Sequence, residues 1–241
     1  IPNTYENAFG KEIEYDNTLV LEEKLIGNDY YTSKSSDIEV KLPSDAEKDF
    51  NVYFEYNNVK VEMTPLDGDY SKTAVKENAI LYNNVFDGID IQYTVNELGL
   101  KEDIILNKFV EKNSFSYELD ISGAKAVFEN GVLNLYKTNG DLGLTISAPI
   151  MTDASGSMST NITLSYENDV LTITADAEWL ASPERAYPIK IDPNFKIKAD
   201  KIDLVTVTQN YGRYGDHAYG YVGFLTARNI GVDSDAVLGY N

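Results

Sequence analysis

Cysteine is absent from the 241 residues, which excludes disulfides, thiolate zinc sites and cysteine nucleophiles. Histidine occurs once, at His217, so a histidine-rich metal centre within one chain is excluded too. Positive charge is scarce: 20 Lys and Arg stand against 39 Asp and Glu, a net charge of −19. Binding a phosphate backbone or an anionic headgroup layer needs a basic stripe, so neither nucleic acid nor a membrane is an expected partner. Long apolar runs are missing as well. The stretch Ala79-Ile80-Leu81-Tyr82 is typical, and nothing spans a bilayer. There is no phosphate-binding glycine loop and no G-x-S-x-G elbow.

What the sequence does have is the vocabulary of strands. There are 18 Tyr and 9 Phe, with frequent Val, Ile and Thr. Residues 37–42 alternate strictly between polar and apolar, as do 133–136 and 171–174, which puts one face on a core and the other in water. Asn57-Asn58 and Asn130-Gly131 predict two-residue hairpin turns, since both residue types tolerate positive φ. Glu167-Asn168-Asp169 predicts a three-residue hairpin loop. Two short helical turns are expected. One runs from Ser44 to Asp49, with Ser44 as N-cap and Glu47 completing a capping box. The other runs from Asp176 to Ala181 and is ended by Pro183. The expected fold is all-β: a large antiparallel β-sandwich with hairpin and meander connections, plus the start of a second β-module. The boundary falls at 197/198. Pro188 to Pro193 reads as a closing edge strand, because proline cannot donate to a central ladder.

Several side chains are candidates for chemistry. Asp216 sits beside His217, but neighbours on an extended chain point apart, so it is a poor orienting partner for a catalytic base. Glu102, Asp103 and Glu178 are carboxylates to consider for glycoside chemistry. The plainer reading puts Glu102 and Asp103 on a solvated strand and Glu178 in a short turn. No catalytic residue is assigned, and the chain is expected not to be an enzyme. Calcium is the one cofactor the composition favours, as a structural ion held by Asp67, Asp69, Asp87 and Asp90, with Asp233 and Asp235 as a further pair. Acidic turns are more often simply solvated. Tyr211, Tyr214, Tyr219 and Tyr221 offer rings for stacking a cell-surface glycan, although packing at strand edges is the commoner use of tyrosine. Gly88 is expected at positive φ, leading into a strand from Ile89. Trp179, Tyr187 and Ile189 are expected to be mostly buried and to close the sandwich, so that Trp179→Ala would cost ~3–5 kcal/mol.

Longer phrases carry a family resemblance. Tyr82-Asn83-Asn84-Val85-Phe86-Asp87-Gly88-Ile89-Asp90-Ile91-Gln92-Tyr93 leads into Leu100-Lys101-Glu102-Asp103. Around these lie Asp16-Asn17-Thr18-Leu19, Ala148-Pro149-Ile150-Met151-Thr152-Asp153-Ala154-Ser155-Gly156, and Trp179-Leu180 with Ala186-Tyr187-Pro188-Ile189-Lys190-Ile191-Asp192-Pro193. In this order they resemble the N-terminal region of wall-associated RHS/YD-repeat proteins of Gram-positive bacteria. In that family the final phrase leads into a DNRLRE-type sandwich, to which Asn210-Tyr211-Gly212 and Val222-Gly223 are similar. The resemblance implies a secreted, cell-wall-associated multidomain protein whose toxic activity lies in a C-terminal domain. The chain's role would then be structural presentation, with the following domains of the same polypeptide as its partners.

Overall fold

The computed structural model describes residues 4–7, 9–47, 50–68, 72–96, 99–196, 205–214 and 217–226, with 72, 193–196, 205–214 and 217–226 described by backbone alone. Two compact units divide the chain, residues 1–197 and 198–241.

The first unit opens with a small hairpin, β1 (Thr4–Glu6) and β2 (Glu12–Glu14). A meander follows: β3 (Asp16–Glu22), β4 (Tyr30–Ser35), β5 (Glu39–Pro43), β6 (Val52–Tyr56) and β7 (Val59–Pro65). A second meander is β8 (Lys72–Lys76), β9 (Ala79–Phe86), β10 (Ile89–Asn96) and β11 (Gly99–Leu106). Next come β12 (Ser114–Ser122), β13 (Ala124–Glu129), β14 (Val132–Lys137), β15 (Leu142–Thr152), β16 (Met158–Ser159), β17 (Ile162–Glu167) and β18 (Val170–Ala175). Helix α1 (Ala177–Ala181) and β19 (Ile189–Lys196) complete it.

Two large antiparallel sheets result. One has the order β17-β18-β12-β7-β6-β5-β4-β3; the other is β13-β14-β15-β19-β11-β10-β9-β8, with β16 on β15. They pack as a sandwich around one core drawn from both. Alternation explains the core: in β10, Ile89, Ile91, Tyr93 and Val95 are buried while the residues between them are not. Tyr82 of β9 ties the layers together by donating its hydroxyl to the Pro43 carbonyl of β5 at 2.8 Å. The chain changes sheet between β12 and β13 across one residue, Gly123.

Turn chemistry sets the hairpins. Asn57 and Asn58 have φ of 49° and 64°, and Asn130 and Gly131 have 53° and 75°. The loop at 167–169 is tighter than expected. Glu167 pairs with Val170, so only Asn168 and Asp169 turn, both at positive φ. Asp176 caps α1 as expected, accepting from the backbone of Glu178 and Trp179. At the other anticipated turn, of which residues 48 and 49 lie outside the described residues, Ser44 does not form the expected capping box. The Ser44 hydroxyl donates to the Asp29 carbonyl, and Asp45 accepts from Glu47 N–H.

The final strand also departs from expectation. β19 lies centrally, between β15 and β11. Its proline is tolerated because the partner bulges. Ser147 pairs with Asn194 and Ile150 with Asp192, so Ala148 and Pro149 together face Pro193. Among the described residues no helix is long and apolar enough to cross a membrane. In the second unit, β20 (Val205–Tyr214) and β21 (His217–Thr226) form an antiparallel ladder from Val205↔Thr226 to Tyr214↔His217.

Candidate functional site

The most unusual chemistry lies in the middle of the sandwich. In β11, Leu100, Glu102, Ile104 and Leu106 share the phase that faces the core, and Glu102 is fully buried with them. The Tyr93 hydroxyl of β10 donates to Glu102 Oε1 at 2.7 Å. Burial is the largest of the effects that together put the Glu102 carboxyl at about 7. The hydroxyls of Tyr93 and of Tyr117, on β12 of the facing sheet, pull it back down, and the charges of Asp103 and Asp192 push it up again. Burial first, and then the carboxylate beside it, drives the Tyr93 phenol well above its ordinary value.

On the opposite face of β11 a second group forms. Lys101 Nζ stands 2.7 Å from Asp103 Oδ1 and 3.2 Å from Asp192 Oδ2. Asp192 is raised above its ordinary value mainly by burial. Reading Glu102 and Asp103 as a solvated strand is therefore corrected: both are buried, Glu102 in the core of a central strand and Asp103 beneath its pairing with Lys101. Glu102 has no exposure through which a glycan could reach it. Glu178 is exposed on the first turn of α1.

A third cluster joins two of the motif phrases. Asp153 Oδ1 accepts from Ser155 N–H, Ser155 Oγ and Ser157 N–H at 2.9, 2.6 and 2.9 Å. Its Oδ2 accepts from Arg185 Nη1 at 3.1 Å and Ala186 N–H at 3.3 Å. The Ser155 hydroxyl first, then the backbone N–H groups, hold this carboxyl at about 2 against the effect of burial. The Arg185 guanidinium lies over the Trp179 ring, 4.5 Å from its centroid. Sequence reasoning missed Arg185. Its signal was Asp-Ala-Ser-Gly-Ser, a turn that leaves one aspartate oxygen free for a distant cation.

Ile189 is fully buried, and Trp179 and Tyr187 keep part of their surface exposed while packing against the core. Leu180 of α1 is buried beside them, and the Tyr187 hydroxyl donates to the Leu180 carbonyl at 2.9 Å. Gly88 has φ +78° and leads into β10 at Ile89.

The acidic turn around Gly88 is an interlocked backbone device. Asp90 Oδ1 accepts from Asn84 N–H at 2.7 Å, and its Oδ2 accepts from Asn107 Nδ2 at 2.8 Å. Asn84 Oδ1 accepts from Gly88 N–H, and Asp87 pairs with Lys108 at 3.1 Å. Asp67 is exposed at φ +61°; Asp69, Asp233 and Asp235 lie outside the described residues. Among the described residues no group of three or more His, Asp or Glu side chains is gathered for a metal ion. The side chains of Tyr211, Tyr214, Tyr219, Tyr221 and His217 also lie outside what is described, although their backbones belong to β20 and β21. An open groove of about 470 Å³ runs along Phe86, Asp87 and residues 108–112, where Lys112 Nζ sits 4.5 Å from the centre of the Phe86 ring.

The chain is similar to proteins named tRNA nuclease WapA. It is 32% identical over 160 residues to the one from Bacillus subtilis strain 168, covering 61% of this chain and 7% of that protein. It matches the tRNA(Glu)-specific nuclease WapA of Bacillus subtilis subsp. natto to the same extent. The tRNA3(Ser)-specific nuclease WapA of Bacillus spizizenii is 31% identical over the same length and share. The chain thus spans 7% of the length of these relatives. No family model matches it. No solved structure matches it significantly.

These similarities overturn one expectation. The chain was expected not to be an enzyme, yet the WapA relatives are named as enzymes that act on tRNA. Composition misled here because charge and missing motifs describe 241 residues, while the names describe proteins many times longer. The expectation that nucleic acid is not a partner was read from the charge of these 241 residues and does not extend to proteins of that length.

Proposed function

We propose that the chain is a structural presentation module of a large secreted or cell-wall-associated protein with nuclease activity, holding and spacing the domains that follow it. The carrying observation is that the motif residues are occupied with one another. Tyr93 holds Glu102, Lys101 bridges to Asp192, and Asp153 holds Arg185. The names of the relatives add support: they specify different tRNAs, yet they match this chain almost equally. A segment shared so evenly does not choose between tRNAs. The finer placement, ahead of YD repeats and with residues 198–241 opening a DNRLRE-type sandwich, rests on the motif phrases.

Deleting residues 1–197 from the full-length protein tests the reading. The expected result is loss of wall retention and faster proteolysis of what remains. Unchanged retention and proteolysis would reject presentation, and tRNA cleavage by the purified chain would replace it with catalysis. YD repeats in the reading frame past Asn241 would support the finer placement.

A further inference from the structure

We propose that Glu102 is a proton-operated catch between the two sheets of the first unit, holding them closed while neutral and easing them apart once its proton leaves. A carboxyl group in phase with Leu100, Ile104 and Leu106 occupies a place where an apolar side chain would pack without penalty. Its Oε1 accepts from the Tyr93 hydroxyl, and its Oε2 is buried on the side from which the Tyr117 hydroxyl of the facing sheet acts on the carboxyl. Each element packed on it contributes a group. β10 brings Tyr93, with Tyr82 of β9 behind it, and β12 brings Tyr117 from the facing sheet. Across the sheet, Asp103 on its own strand and Asp192 on β19 are like charges. Lys101, the cation next in sequence, falls on the opposite face by strand alternation and pairs there with those two aspartates.

Only two phenols therefore oppose burial and like charge, and ionisation is unfavourable while the sheets are closed. Opening the sandwich hydrates the carboxylate and restores its ordinary acidity. The folded state thus binds the proton more tightly than the open state, and the closed form is favoured at low pH. That preference fades as pH rises from the open-state value of 4.5 towards 7 and is gone above it.

The test is urea unfolding of the full chain at pH 5, 6, 7 and 8, beside Glu102→Gln and Tyr93→Phe. Relative to Glu102→Gln, the wild-type unfolding constant should rise roughly 50–100-fold from pH 5 to pH 8. Tyr93→Phe removes a donor that favours the charged form, so its transition should move to higher pH. A glutamate that merely fills space would leave wild type and Glu102→Gln parallel across the range, which would overturn the proposal. If Glu102→Gln does not fold, an unmoved transition in Tyr93→Phe overturns it equally.

Discussion

A β-carbon on Gly123 would stand 1.9 Å from the carbonyl oxygen of Asn58. The glycine that carries the chain from one sheet to the other is pressed against a hairpin turn, and its φ is +78°. Gly123→Ala therefore meets backbone that cannot rotate away, and we expect a loss of at least ~2 kcal/mol in urea unfolding. Gly131→Ala is the control. It has similar φ but nothing within 4 Å of the new carbon, so it should lose only about 1 kcal/mol. Equal losses would show that φ alone matters at both positions.

Asp153 should make stability sensitive to acid. Its folded carboxyl lies at about 2, below the ordinary 3.8, so its contribution is complete above 3.8 and disappears as pH falls through 2. Asp153→Asn should melt lower than wild type at pH 7. The gap should narrow between pH 4 and pH 2, and a constant gap would assign the loss to shape instead of charge.

Near the helix, the inward neighbour should matter more than the tryptophan. Leu180→Ala removes a side chain 1% exposed and is expected to cost ~2–5 kcal/mol. Trp179→Ala removes a half-buried ring under Arg185 and should cost only about 1–2 kcal/mol. Melting curves giving the reverse order would make Trp179 the larger anchor of the two.

Tyr82→Phe keeps the ring and removes the hydroxyl that reaches Pro43. With a carbonyl left unpaired between the layers, it should cost about 1–2 kcal/mol by urea titration. A neutral result would mean that water takes the hydroxyl's place.

The strands and their turns were legible because period-2 alternation and Asn or Gly at a turn are local properties. The 57–58 and 130–131 hairpins follow from two residues each. The central place of β19 was not legible, since proline marks an edge unless a partner bulges. Here the bulge is Ala148-Pro149, more than forty residues earlier. For Glu102 the phase was visible in Leu100, Ile104 and Leu106, but the charged pair Glu102-Asp103 pointed to solvent. The tyrosines that receive it come from β10 and β12. Gly123 carried no signal at all, because its constraint is the Asn58 carbonyl of another hairpin.

The strand that comes last in the first unit is the one in the middle of its larger sheet, which fixes an order of events during synthesis. Until residues 189–196 leave the ribosome, that sheet exists as a four-stranded piece, β8 to β11, and a piece built on β13 to β15. Each piece shows a bare strand edge, β11 on one and β15 on the other, the kind of edge that recruits stray partners. β19 seals both at once. A nascent chain stalled before Ile189 therefore carries two sticky margins, and one that has passed Lys196 carries neither.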